Sequence, residues 1–233
     1  MAITQGLKDM TEGYRWIVDI DLEKFFDTVN HDRLMNLVSR KITDGDVISL
    51  IRKYLVSGIM VNGKYEESSV GTPQGGNLSP LLSNILLNEL DEELEKRGLR
   101  FVRYADDCII LVKSEFAARR VMRSVTRYIE ETLGLTVNTA KSKVVKPSDP
   151  TFKFLGFGFY WSKIDKGYQA KPHAISIDTF KYKLHQLSKK SWGIDMAYRI
   201  LRLNQVIRGW VNYFKIGNMH RILKKIASHL RYR

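Results

Sequence analysis

The sequence predicts an α+β fold, an antiparallel sheet with helices on one face, followed by a small helical segment. Three observations carry that expectation. Period-two strands and helical repeats follow one another as strand, helices, hairpin, helix and strand, an order that suits an antiparallel sheet covered on one side. Two apolar stretches, 100–104 and 108–112, reverse direction at Ala105-Asp106-Asp107. Past Lys171 the pattern becomes helical and strongly basic.

Each element follows from local signals. Trp16-Ile17-Val18-Asp19-Ile20-Asp21 alternates, so Trp16, Val18 and Ile20 face one way and Asp19 and Asp21 the other. Residues 31–41 and 44–56 read as helices, the second capped by Thr43 or Asp44. Residues 59–69 read as a hairpin about Asn62-Gly63. Ser79-Pro80 opens a helix in which Leu82, Ile85, Leu86, Leu90 and Leu94 recur at helical spacing, and Gly98 closes it. Ser114 caps a further helix to about Leu133, closed by Gly134, and short strands are expected near 135–138, 142–146, 152–155 and 157–161. Asp165-Lys166-Gly167 and Pro172 break the pattern, which sets expected domains at 1–170 and 171–233. Three helices, roughly 178–190, 195–215 and 219–231, follow, with Leu184, Leu187, Leu201, Val206, Trp210 and Phe214 on their buried faces.

Composition removes several function classes. One cysteine, Cys108, excludes a disulfide framework and a zinc site of paired cysteines, and following Asp107 on an apolar strand it reads as a buried small hydrophobe. No run of about 18 apolar residues is present, so no membrane partner is expected. Residues 1–14 hold no apolar stretch of a secretory signal, and the cytoplasm is the default expectation. The net charge of +13 is unevenly spread: residues 171–233 carry 14 Lys/Arg against Asp178 and Asp195, a net of +12, whereas 1–170 carry 24 basic and 23 acidic residues. A near-neutral body with a basic segment in which Lys and Arg alternate with Trp, Tyr and Phe suits a catalytic domain joined to a polyanion-binding one; the plainer alternative is a solvated basic face.

The chemistry-bearing residues are acidic. Asp106 and Asp107 stand where two apolar strands reverse, and two adjacent carboxylates repel unless a cation resolves the conflict. Oxygen ligands of this kind suit Mg²⁺, which keeps several waters and is shared with substrate phosphates. If the strand ending in Asp21 is a neighbour, the site has the makings of two-metal phosphoryl transfer. Taken alone, Asp-Asp is more often an ordinary polar turn.

Read together, several blocks narrow the choice. Tyr104-Ala105-Asp106-Asp107 resembles the signature of reverse transcriptases, with alanine in the second position as in group II intron enzymes. Asp21-Leu22-Glu23-Lys24-Phe25-Phe26-Asp27 with Asn30-His31 resembles the family's first catalytic block. Gly71-Thr72-Pro73-Gln74-Gly75-Gly76-Asn77-Leu78-Ser79-Pro80 resembles the block that contacts template and incoming nucleotide. Thr136-Val137-Asn138 with Lys141-Ser142-Lys143, and Phe154-Leu155-Gly156-Phe157, resemble the next two. Arg208-Gly209-Trp210-Val211-Asn212-Tyr213-Phe214 resembles the thumb of group II intron maturases. The blocks come in family order and span about residues 2–220.

This resemblance implies a polymerase palm followed by a helical thumb, and an RNA-directed DNA polymerase acting on an RNA template, a DNA primer, dNTPs and an intron RNA. It implies two Mg²⁺ ions, with Mn²⁺ as a substitute, at Asp21, Leu22, Asp106 and Asp107, with Asp19 behind them. One ion would activate the primer 3′-hydroxyl and the other would neutralise the triphosphate for in-line attack. Phe26 would sit under the nucleotide sugar and reject a 2′-hydroxyl; a core phenylalanine is the alternative. Pro73, Gln74 and Gly75 would contact template and nucleotide. Lys141 would protonate the pyrophosphate or simply contact phosphate, and Phe154, Leu155 and Gly156 would hold the primer end or form a plain hairpin. Lys189, Lys190, Arg202, Arg208, Lys224 and Lys225 would contact RNA phosphates. His31 and Trp210 read as structural.

Only 20 residues precede Asp21, where full-length relatives carry a longer fingers region, so 2–14 is expected to be the last helix of that region and the chain a fragment. The His and Cys clusters of the family's nuclease are absent from the sequence. The alternative function is a maturase-type RNA-binding module with little polymerase activity. Either way, RNA affinity should fall steeply with salt. Replacing Lys224 and Lys225 by Ala should reduce the slope of log K against log[salt] by about one to two units, measured by filter binding; an unchanged slope would exclude them as phosphate contacts.

Overall fold

Residues 16–20 form a strand in which Val18 and Ile20 are buried on one face and Ile17 on the other, next to the half-buried Asp19. The computed structural model describes residues 2–61, 64–66, 70–72, 76–189 and 193–231. The chain divides into two compact units, one of Tyr14–Val145 and one of Ile3–Gly13 with Lys146–Arg233. The helix α1 (Ala2–Thr11) thus belongs almost wholly with the later residues.

The first unit is built on β1 (Trp16–Ile20), α2 (Phe25–Thr28), α3 (His31–Ser39), α4 (Gly45–Val56), the hairpin strands β2 (Ile59–Val61) and β3 (Lys64–Glu66), and α5 (Ser79–Lys96). It continues through β4 (Arg100–Tyr104), β5 (Asp107–Val112), α6 (Glu115–Arg127) and β6 (Lys143–Val145). A four-stranded antiparallel sheet runs in the order β4-β5-β1-β6. Val18, Ile20, Cys108, Ile110 and Val112 share one face and join a single core with Leu34 and Val38 of α3, Leu82, Leu86, Leu90 and Leu94 of α5, and Val121 and Val125 of α6. Asp44 caps α4 by accepting from the Asp46 and Val47 N–H groups, and Ser114 caps α6 by accepting from Ala117. The expected helix to Leu133 is present, its last turn widened to a π-helix over Tyr128–Thr132.

The second unit holds α1, the hairpin β7 (Phe157–Ser162) and β8 (Gly167–Pro172), and the helices α7 (Ala174–Leu187), α8 (Met196–Phe214) and α9 (His220–Arg231). Phe180 and Leu184 of α7 and Ile226 of α9 form its helical core with Leu203, Val206, Ile207 and Trp210 of α8. The Phe180 and Trp210 rings stack at 4.4 Å and 5°.

Three expectations are corrected. Gly167 and Pro172, read as breakers, are the first and last residues of β8, positions where glycine and proline leave a ladder intact. The regions 135–138 and 152–155 make single bridges, Leu22 to Val137 and Phe154 to Phe157, instead of strands. Leu201 is exposed, since the buried stripe of α8 runs through 203, 206, 207, 210 and 214. The turn Asn62-Gly63 lies outside the described residues. Among those described, no helix is long and apolar enough to cross a membrane.

Phe180 is 1% exposed and stacked, so Phe180→Ala should cost the second unit about 3–5 kcal/mol in urea unfolding followed by tryptophan fluorescence. A loss below about 1 kcal/mol would contradict this packing.

Candidate active site

Sheet register gathers the acids at one end. Ile20 and Cys108 form the last β1–β5 pair. Tyr104 pairs with Asp107, so β4 and β5 are joined by Ala105 and Asp106 alone. Asp21, one residue past the last β1–β5 pair, and Asp107 therefore lie at the same end of the sheet, with Asp106 in the adjoining turn. Alternation puts Asp21 and Asp107 on the face opposite Ile20 and Cys108. Asp19 lies two residues back on that face, opposite Lys143 of β6. Asp107 is exposed and Asp106 half-buried, and the Asp21 side chain is 37% exposed.

The backbone at Asp21 is held from several sides where β6 leaves the sheet. Ser142 Oγ accepts the Asp21 N–H at 3.0 Å and points its hydroxyl at the Asp21 carbonyl, 3.4 Å away. Asn138 N–H donates to the same carbonyl at 2.9 Å, and Glu23 N–H donates to Thr136 at 2.8 Å. These last two bonds flank the Leu22–Val137 bridge and leave the Leu22 carbonyl outside it. The Leu22 side chain is buried, so only that carbonyl can serve a cation.

Lys141 Nζ is 3.7 Å from Asp21 Oδ1. The Asn138 side chain accepts from the Ala140 and Lys141 N–H groups, an Asx turn that sets where Lys141 begins. Among the described residues no three His, Cys, Asp or Glu side chains converge closely enough to hold a metal ion. The carboxylates are aligned rather than gathered, and the Lys141 ammonium pairs with one of them. The donor set is all hard oxygen, which fits Mg²⁺ or Mn²⁺ and does not fit a soft ion.

Phe26 stands at the margin of the core, half-buried, its ring edge-on to the buried Phe25 at 5.3 Å. The loop 70–72 is sewn to this segment. Thr72 N–H donates to the Phe26 carbonyl, Gly71 N–H to the Val29 carbonyl, and His31 Nε2 bonds the Gly71 carbonyl at 2.5 Å. Gly71 has φ +92, and a Cβ there would meet the Phe26 carbonyl at 2.7 Å, so only glycine fits. His31, read as structural, thus fixes the chain that leads into Pro73, Gln74 and Gly75; those three lie outside the described residues.

In the other unit, Leu155 and Gly156 turn the chain between the bridged Phe154 and Phe157, both with positive φ, 49 and 78, as in a type I′ turn. Tyr213 Oη donates to the Leu155 carbonyl, and Ser176 Oγ and the His173 N–H donate to the Gly156 carbonyl. A groove of about 550 Å³ lies alongside, bordered by Lys153, Lys183, Gln205 and Tyr213. Lys189, Arg202, Arg208, Lys224 and Lys225 are exposed, and Arg202 bonds Gln205; Lys190 is outside the described residues. Cys108 is buried, and burial first, then Asp91, pushes its thiol up to about 12, so it is inert near neutrality.

Reading the sequence gave roles to Lys141 but none to Asn138 or Ser142. Asn138 carried a usable signal, an Asn followed by small residues, whereas Ser142 reaches Asp21 across 121 positions and leaves no local pattern.

Comparison with known proteins matches two families along the chain. Residues 2–159 match the family described as reverse transcriptase (RNA-dependent DNA polymerase), and 177–233 match the group II intron, maturase-specific domain. The protein YkfC of Escherichia coli K12 is 34% identical over 176 residues, covering 61% of this chain and 46% of that protein. The group II intron-encoded protein LtrA of Lactococcus lactis is 41% identical over 97 residues, covering 42% of this chain and 16% of that protein. The chain thus spans less than half the length of these relatives. Apo telomerase from Candida tropicalis shares the fold, with a TM-score of 0.58 at 12% identity over 97% of this chain and 46% of that one.

Removing the Ser142 hydroxyl strands the Asp21 N–H at a partly buried position. Ser142→Ala should cost about 1–3 kcal/mol and speed hydrogen exchange at Asp21, while Ser142→Thr keeps both near wild type. Wild-type exchange in Ser142→Ala would show that the clamp is not what holds Asp21.

Proposed function

We propose, from the premise that the chain belongs to the reverse transcriptase (RNA-dependent DNA polymerase) family and carries a group II intron maturase-specific domain, that it performs RNA-templated DNA synthesis of the group II intron type. The reaction moves a nucleotide from a dNTP to a primer 3′-hydroxyl. What supports this reading is that Asp21, one residue past the Ile20–Cys108 pair, lies at the same end of the sheet as Asp107 and the turn residue Asp106. Residues 1–170 serve as palm and 171–233 as thumb.

Asp21, Asp106, Asp107 and the Leu22 carbonyl hold two Mg²⁺ ions, with Mn²⁺ as a substitute. When bound, the ions supply the charge that acidifies the primer 3′-hydroxyl and neutralises the triphosphate. The Ser142 and Asn138 contacts keep Asp21 from shifting as its charge partner changes. Lys141, within ion-pair reach of Asp21, donates a proton from its ammonium to the departing pyrophosphate oxygen and is left as the neutral amine. Phe26 closes the space a 2′-hydroxyl would need, and Pro73, Gln74 and Gly75 meet template and nucleotide. The turn Phe154-Leu155-Gly156 bears on the primer end. Lys189, Lys190, Arg202, Arg208, Lys224 and Lys225 hold phosphates of the RNA template–DNA primer duplex or of an intron RNA.

A second reading is favoured by the maturase-specific match over 177–233 and the +12 charge of 171–233: an RNA-binding module that assists intron splicing with little synthesis. Primer extension separates the two. Asp106→Asn should lower extension on an RNA template at least about a hundredfold while leaving RNA binding near wild type. Retention of more than about a tenth of the activity would exclude the two-metal assignment. A wild-type chain that binds RNA and does not extend would favour the second reading.

A further inference from the structure

Arg103, on the strand leading into the acidic turn, takes no part in the chemistry described above. Its side chain is only 12% exposed. Its guanidinium makes a two-point pair with Asp91, Nε to Oδ1 at 2.7 Å and Nη2 to Oδ2. Nη1 donates to Asn84 Oδ1 at 3.0 Å and to the Ala105 carbonyl at 2.9 Å. Asn84 and Asp91 are seven residues apart, on one stripe of α5. One planar fork therefore ties α5 to the first residue of the turn.

That turn needs holding. Ala105 has φ 55, a left-handed conformation that a residue with a Cβ keeps only where its surroundings impose it. The register ends at the Tyr104–Asp107 pair, so the Ala105 carbonyl lies beyond the ladder and is taken by Arg103. The same turn presents Asp106 and starts the strand at Asp107. Asp91 matches the guanidinium charge, so what Arg103 gives the acidic turn is geometry.

We propose that Arg103 is a positioning residue for Asp106 and Asp107: anchored by Asp91 and Asn84, it fixes the left-handed Ala105 and so the direction in which both carboxylates meet a divalent cation. Lysine cannot replace it, because a point ammonium cannot make the fork to Asp91 and reach two further acceptors in one plane. The inference rests on the polymerase reading for its functional consequence, while the hold on the turn is a property of the chain itself.

The test uses the intact chain carrying Arg103→Lys, with thermal melting as a control on folding. Hydrogen exchange should quicken across 105–108 and stay unchanged along α5. Affinity for Mn²⁺, measured by water-proton relaxation, and the extension kcat on an RNA template should each fall about tenfold or more, with the KM for dNTP much less affected. Adding Ala105→Gly to the Arg103→Lys chain should restore part of both, since glycine adopts positive φ without strain. If Arg103→Lys does not fold, Asp91→Asn loosens the same fork without altering the arginine and should shift the same readouts in the same direction. Wild-type turn exchange and Mn²⁺ affinity in the folded variant would overturn the proposal. So would a uniform rise in exchange across the sheet with no rescue by glycine, the mark of an ordinary structural ion pair. Failure of the polymerase reading looks different: the wild-type chain would neither extend nor bind Mn²⁺ better than Asp106→Asn, and exchange at 105–108 would still decide the role of Arg103.

Discussion

Asp21, Asp106 and Asp107 come to one end of the sheet, and the first unit holds the backbone on either side of them in place. Such a cluster persists only when its backbone cannot yield and a cation is at hand. The backbone is fixed on the Asp21 side by Ser142 and Asn138, and on the Asp106 side by the Arg103 fork to the Ala105 carbonyl. The cation at hand is Lys141, 68% exposed and 3.7 Å from Asp21, which gives a weak and screened pair. Rigid acids with a loosely held ammonium suit a site in which the positive charge is exchanged.

The hydrophobic arrangement behind the acids explains why the ends of the strands line up. Antiparallel pairing has a two-residue period, and a slip of one residue would turn Val18, Ile20, Cys108, Ile110 and Val112 away from the helices. The core thus enforces the register that brings Asp21 and Asp107 to the same end of the sheet. Gly71 does comparable work nearby: its missing Cβ lets the loop lie on the Phe26 carbonyl, where His31 holds it. The second unit relies on aromatic packing, with Trp210 between Phe180 and Phe214, while Lys189, Arg202, Arg208, Lys224 and Lys225 are exposed.

Much of this was legible in the residues because burial on one face writes a period into the sequence. The alternation of 16–21, the leucine stripe of α5 and the apolar strands around Ala105-Asp106-Asp107 each mark an element in place. β8 was not legible, since Gly167 and Pro172 signal a break to a local reading, whereas pairing with β7 places them harmlessly at strand ends. The start of α7 was hidden for a related reason: His173 caps it, accepting from Ile175, directly after that proline. Contacts between distant positions were also invisible. Ser142 reaches Asp21, and Arg103 joins Asn84, Asp91 and Ala105, through spacings that follow no repeat.

The central claim is that the Asp21–Asp106–Asp107 end of the sheet is a divalent-cation site. Paramagnetic broadening of backbone amide NMR signals by substoichiometric Mn²⁺ tests it most directly, because it reports location without requiring turnover. Signals of residues 20–22 and 105–108 should broaden first and together, with excess Mg²⁺ reversing the effect. Broadening confined to other acidic positions, or spread evenly over the exposed carboxylates, would contradict the claim.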